Sequence, residues 1–276
     1  MCRTTYGDLI TAAMLSESAY RPDAHIVDDM RQMGMVHIGN VACAGTFCTL
    51  SLDDCGCLWI AFRGTQIEDW QDINSDYRFF PRREGSGLVH RGFVAAADYV
   101  WLAIESQCSQ FPNRIVVTGH SLGAAVASIV ARRLGAIRRG LGLTSPDLIT
   151  FGCPLVGSPG FHRDLQWFCG DVVRVTNGRD PIPWLFAWPL YRHSDCMRIH
   201  LTGDGEVFWN PTRFRLLKSL HKHRVKAIVA FFKTLLQTRS LFRSWLAVTG
   251  VFDHTMVRYR NQIVDLFDSR KHKMIV

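Results

Sequence analysis

Apolar positions along the first two-thirds of this chain switch repeatedly between helical and strand-like spacing. Tyr6, Leu9, Ile10, Ala13 and Met14 recur at helical spacing, which predicts an amphipathic first helix. The apolar runs 47–52 and 57–62 predict two strands joined by the turn Asp53-Asp54-Cys55-Gly56. A polar stretch carrying Trp70 follows. A helix is expected over 90–108, with Phe93, Ala96, Ala97, Val100, Trp101 and Ile104 on one face. Next come a strand over 114–118, a helix over 121–139, a strand over 147–151, a helix near 161–168 and a strand over 171–176. The helix over 121–139 ends in Arg138 and Arg139, cations suited to its negative C-terminal end. Strands alternating with helices predict a mostly parallel sheet covered by helices on both faces. The chain has 276 residues and no evident repeat, so one α/β domain over 1–276 is expected. Chemistry in such a fold gathers at the C-terminal ends of the strands.

One such end carries Gly119-His120-Ser121-Leu122-Gly123, a G-x-S-x-G between an apolar strand and an Ala-rich helix. That context is what a nucleophile elbow needs: a serine on a strained strand-to-helix turn, with glycines letting the backbone pack close. A serine hydroxyl needs a base to take its proton and a carboxylate to orient that base. Asp180 lies in the loop after the strand over 171–176, where such an acid belongs. Asp147 and Asp171 begin strands and fall at the opposite edge, while Asp195 and Asp204 remain open. For the base, position alone leaves His193, His200, His221, His223, His254 and His272 open, with His254 favoured at a loop-to-helix junction.

Charge and cysteine content narrow the picture further. The net charge of +8 is local, because 207–252 holds nine cations and no acid, leaving 23 cations against 24 acids elsewhere. Phe214, Leu217 and Leu220, then Val225, Ile228, Val229, Phe232, Leu235 and Leu236, recur at helical spacing between those cations. A basic amphipathic helix of this kind favours an anionic lipid surface. Arg213, Arg215, Lys218, Lys222, Arg224 and Lys226 are the candidate membrane-binding set; a pair of packed helices with a solvated basic face is the competing reading. No nucleic-acid recognition motif accompanies the charge, so no nucleic-acid partner is expected. Nine cysteines without metal-ligand spacing predict reduced thiols, no metal and no cofactor. Asp8 and Glu17 interrupt the first apolar run, and no run reaches about 18 residues, so neither a secretory signal nor a membrane span is expected. The expected location is cytoplasmic or peripheral to a membrane, with signal-independent export as a further route.

Several stretches in order resemble the class 3 lipases, the α/β-hydrolase group that includes fungal triacylglycerol lipases. They are Ala61-Phe62-Arg63-Gly64-Thr65 with Trp70 and Asp72, Val89-His90-Arg91-Gly92-Phe93, the elbow itself, 150–157, 174–183, and Asp253-His254 with Tyr259. The resemblance implies an α/β-hydrolase fold and a triad of Ser121, Asp180 and His254. It also implies an oxyanion hole from Thr65 and the backbone N–H of Leu122. Family members usually join the acid loop to the histidine more directly, so 207–252 resembles an insertion. They often carry a lid after the oxyanion residue, and the polar stretch 66–83 lacks an amphipathic pattern for one. The expected activity is a serine carboxylester hydrolase, of lipase or phospholipase A type, cleaving glycerolipid acyl esters at a membrane surface. A soluble short-chain esterase, or a lipase-like binding module without turnover, are the alternatives.

Overall fold

The structure is a computed structural model that describes residues 3–64, 81–108, 111, 113–178, 180–184, 191–193, 196–202, 206–212 and 251–268. Helix α1 (Tyr6–Ser18) is opened by a reciprocal cap: Thr5 Oγ1 accepts from the Asp8 N–H at 3.1 Å, and Asp8 accepts from the Thr5 N–H at 2.6 Å. Helix α2 (Asp23–Gln32) leads into an antiparallel trio, β1 (Val36–Cys43), β2 (Thr46–Leu52) and β3 (Leu58–Phe62). Asp53 builds the β2–β3 turn by accepting from the N–H groups of Cys55 and Cys57 and from the Trp59 indole. A hairpin of β4 (Pro81–Glu84) and β5 (Gly87–His90) precedes α3 (Arg91–Cys108). Then follow β6 (Ile115–His120), α4 (Leu122–Gly140), β7 (Asp147–Phe151), α5 (Pro159–Phe168) and β8 (Val172–Asn177). A 3₁₀ turn at Ile182–Trp184, strands β9 (Met197–Leu201) and β10 (Val207–Trp209), a second 3₁₀ turn at Val251–His254, and α6 (Met256–Asp268) complete the described elements.

The main sheet has the order β1-β2-β3-β6-β7-β8-β9-β10, parallel from β3 to β9 and antiparallel at both margins. Strand alternation divides the core between its two faces. Ile115 and Val117 join the cluster under α3, α4 and α5, with Phe93, Ile104, Ile129 and Phe161. Val116 points the other way, into the cluster with Leu9 and Leu15 of α1, Ile26 and Met30 of α2, and Tyr259 of α6. Asp147 and Asp171 mark the N-terminal edge. Arg114 bridges Asp147 and Asp8 at 2.8 Å each, and Asp171 accepts from the Thr4 N–H at 2.6 Å. That pinned edge leaves the opposite one for loops.

The structure corrects two expectations and refines a third. The inward face of α1 is Leu9, Ala12, Ala13, Leu15 and Ser16, while Tyr6 and Met14 are exposed. Arg138 does stand in the last turn of α4, as expected, where it is fully buried and donates to the carbonyls of Thr144 at 2.6 Å and Asn113 at 2.9 Å. Residues 207–209, expected to open the basic insertion, form edge strand β10 instead. Arg213, Arg215, Lys218, Lys222, Arg224 and Lys226 lie outside the described residues, as do Thr65 and 66–80. No helix among the described residues is long and apolar enough to cross a membrane.

Candidate active site

Ser121 joins β6 to α4 with φ 59° and ψ −128°, a backbone state that L-residues rarely hold. Its N–H donates to the Phe151 carbonyl at 2.9 Å, which ties the turn to the end of β7. The flanking glycines answer to close approach. A Cβ at Gly119 would lie 2.6 Å from the Gly123 carbonyl oxygen, and one at Gly123 would lie 2.6 Å from the carbonyl oxygens of Phe62 and Arg63. Strand, helix and the end of β3 therefore meet backbone to backbone around the serine.

His254 closes the 3₁₀ turn before α6, and its ring reaches back over the sheet edge. Nε2 stands 2.8 Å from Ser121 Oγ, and Nδ1 stands 2.8 Å from Asp180 Oδ2. All three residues are buried: Ser121 is 1% exposed, Asp180 4% and His254 5%. Asp180 sits in the loop after β8, where its Oδ1 accepts from the Ile182 N–H at 2.9 Å. Asn177 Nδ2 donates to the Asp253 carbonyl at 3.0 Å, fastening the end of β8 to the turn that carries His254. The Tyr259 hydroxyl, one turn into α6, donates to Asp180 Oδ2 at 2.6 Å. Burial, and then the Asp180 carboxylate beside it, push the Tyr259 pKa well up, so this phenol keeps its proton. Such an arrangement can move a proton from a hydroxyl to an imidazole while a carboxylate steadies the cation.

Of the residues expected from sequence, Ser121, Asp180 and His254 converge, and Leu122 opens α4 beside them. The Leu122 N–H stands in the first helical turn, where no earlier carbonyl of the helix can take it. The other described histidines after Asp180 are engaged elsewhere: His193 Nε2 with the Pro183 carbonyl at 2.6 Å, and His200 Nδ1 with Thr176 Oγ1 at 3.0 Å. Asp253, adjacent to the base, pairs with Arg258. Tyr259 stands in a resembling segment of the sequence with no role attached to it; its contact with Asp180 comes from α6 folding back. Asn177 carried no sequence signal. Among the described residues one grouping has metal-ligand proximity, Asp53, Asp54 and Cys55. Asp53 there already serves the turn amides and the Trp59 indole.

Removing the Tyr259 hydroxyl leaves a buried carboxylate one donor short. Tyr259→Phe is expected to destabilise the fold by about 1–3 kcal/mol and to lower kcat more than it changes KM. Chemical denaturation and steady-state kinetics check both; unchanged values would reduce the contact to packing.

The twisted, largely parallel sheet, covered on both faces and carrying its serine on a strand-to-helix elbow, makes this an α/β-hydrolase fold. Residues 59–189 match the family model for lipase (class 3). It is 39% identical over 118 residues to secreted mono- and diacylglycerol lipase 3 of Gibberella zeae, covering 40% of this chain and 36% of that protein. It is 33% identical over 135 residues to a lipase of Rhizomucor miehei, covering 46% of this chain and 37% of that protein. The aligned part thus spans little more than a third of the curated relatives it matches. A solved Rhizomucor miehei triacylglyceride lipase superposes with a TM-score of 0.61 at 23% identity, over 74% of this chain and 82% of that one. Lipase II from Rhizopus niveus gives 0.58 at 20% identity, over 72% and 83%.

Proposed function

We propose that this chain is a serine carboxylester hydrolase acting on the acyl esters of glycerolipids at a lipid surface. The observation that carries it is the continuous line from Ser121 Oγ through the His254 ring to Asp180, with 2.8 Å at each step. In this reading Ser121 Oγ bonds to the acyl carbon while its proton passes to His254 Nε2. The tetrahedral oxyanion takes hydrogen bonds from the backbone N–H of Leu122 and from Thr65. Collapse breaks the ester bond, and the leaving alkoxide takes the proton from His254. Water then repeats the sequence on the acyl-serine and frees the carboxylic acid. Asp180 holds His254 in the tautomer with Nδ1–H and steadies its cation. No cofactor enters this scheme.

The names of the relatives, mono- and diacylglycerol lipases, favour partial acylglycerols as substrates. The cations Arg213, Arg215, Lys218, Lys222, Arg224 and Lys226 favour an anionic lipid surface as the place of work, reached as a peripheral protein. Their stretch would be an appendage of one hydrolase domain spanning 1–276.

A fluorophosphonate probe, followed by peptide mapping, should label Ser121. Acyl release should be faster from diacylglycerol in phosphatidylserine-containing vesicles than from p-nitrophenyl acetate. Labelling with turnover of the soluble ester alone would favour a short-chain esterase. Absence of both labelling and release would overturn the proposal.

A further inference from the structure

His120 occupies a variable position of the elbow motif, yet its side chain is fixed on both sides. Its Nε2 lies 2.6 Å from the carbonyl oxygen of His254. A carbonyl only accepts, so Nε2 carries the proton. The neutral ring then has its lone pair on Nδ1, which lies 2.8 Å from the Tyr20 hydroxyl. Tyr20 must be the donor there. These two contacts select one tautomer of His120 and one rotor of Tyr20.

The far side of Tyr20 meets the strand end that leads to Thr65. A Cβ built on Gly64 would lie 2.3 Å from Tyr20 Oη, 2.6 Å from the His120 carbonyl oxygen and 3.0 Å from Ser121 Cβ. Gly64 is therefore wedged between the phenol and the elbow, and its backbone amide acts favourably on the phenol oxygen. The His120 ring also lies against the His254 ring, with centroids 4.5 Å apart and planes tilted by 32°.

We propose that His120 and Tyr20 form a neutral positioning strap that sets the catalytic base and the oxyanion strand end against each other. One arm holds the backbone of His254. The other holds Gly64, the residue before Thr65. The proposal rests on the hydrolase reading for its consequence in turnover, and not for the strap itself. Neutrality is essential for two reasons. A protonated His120 would put a donor on Nδ1 and force the Tyr20 hydroxyl to reverse. It would also face a second cation at 4.5 Å each time His254 takes the serine proton. Burial, and then the neighbouring His254, hold the His120 pKa well below the ordinary histidine value. Among the described residues the titratable groups facing the ring are Tyr20, His254 and Tyr259, with Arg63 acting on Tyr20. Burial holds Tyr20 protonated as well.

Neither strap residue touches the reacting atoms as the nucleophile or base does, so both act by placement. Misplacing an active-site group by about 1 Å costs on the order of 100-fold in rate. Tyr20→Phe should therefore lower kcat by roughly 10- to 100-fold with KM nearly unchanged, and slow fluorophosphonate labelling of Ser121 in parallel. His120→Gln keeps an N–H near the Nε2 position but offers no acceptor at Nδ1. It should match Tyr20→Phe, and combining the two should add little. His120→Ala loses both arms and should be slower than either. Equal rates for His120→Gln and His120→Ala, or wild-type kcat in Tyr20→Phe, would overturn the strap.

A measurement without turnover separates this proposal from the hydrolase reading. In ¹⁵N-histidine-labelled protein, His120 should read as the neutral Nε2–H tautomer from pH 5 to pH 8, roughly 1.5 units either side of the ordinary histidine pKa. Its Nδ1 resonance should shift in Tyr20→Phe. A His120 that titrates in that window, or carries its proton on Nδ1, overturns the strap whatever the activity. An inactive wild type with this signature intact would sink the hydrolase reading and support the strap.

Discussion

Ser121→Ala is expected to cut acyl-ester hydrolysis by on the order of a million-fold. The expected loss is this large because nothing else at the elbow can act as the nucleophile. Among the described residues the only side-chain partner of Ser121 is the His254 imidazole at 2.8 Å, so removing the hydroxyl leaves no group there to take the acyl chain. What remains is the modest acceleration that bound substrate and oxyanion donors give to water. The backbone supports the variant. Alanine keeps the Cβ that serine already holds at φ 59°, and the N–H bond to the Phe151 carbonyl is untouched. Thermal unfolding should therefore coincide with that of the parent, and fluorophosphonate labelling should vanish. Hydrolysis within tenfold of the parent, in a preparation free of host esterase, would remove Ser121 from the nucleophile's role.

The elbow was legible because it is local. Residues 114–139 carry strand, turn and helix in one continuous stretch, and the glycines that allow close packing lie within it. Strands β3, β6 and β7 were legible because every residue in them is buried, so each reads as an apolar run, whereas parallel β9 carried no such signal. Asp180 was legible from its place after β8. His254 was not legible from position, since six histidines follow Asp180 and only the return of α6 across the sheet chooses among them. The resemblance named it; the geometry shows what it touches.

Other elements stayed hidden for reasons of pattern. Strand β1 includes Gly39 and Asn40 and lies at the sheet margin, so it has no apolar run to read. Helix α2 buries only Ile26 and Met30 among its ten residues, too few to mark a face. The inward face of α1 is built from small residues, Ala12, Ala13 and Ser16, that let it lie flat on the sheet. Leu9, Ile10 and Ala13 of the expected face do pack inward, while Tyr6 and Met14 drew its centre off the buried stripe. Tyr20 and His120 are 100 residues apart and meet only in the folded chain.

Asp180→Asn should lower kcat by about 10,000-fold with little change in KM. The carboxylate is surrounded by donors. Oδ2 accepts from the Tyr259 hydroxyl at 2.6 Å and from His254 Nδ1 at 2.8 Å, while Oδ1 accepts from the Ile182 N–H at 2.9 Å. An amide cannot satisfy that set in either orientation. With its NH₂ in place of Oδ2, it drives the proton of His254 from Nδ1 to Nε2, and Nε2 can then no longer receive the serine proton. The Tyr259 hydroxyl, kept protonated by burial, then loses the acceptor for its proton. With its NH₂ in place of Oδ1, it faces the Ile182 N–H donor to donor. Both arrangements leave a buried polar group without a partner, which costs about 1–3 kcal/mol of stability. Kinetics on a soluble ester and denaturant unfolding of the same sample measure the two losses together. A kcat within tenfold of the parent would mean that another acid orients His254. Neighbouring Asp253 is poorly placed for that, since it is already paired with Arg258.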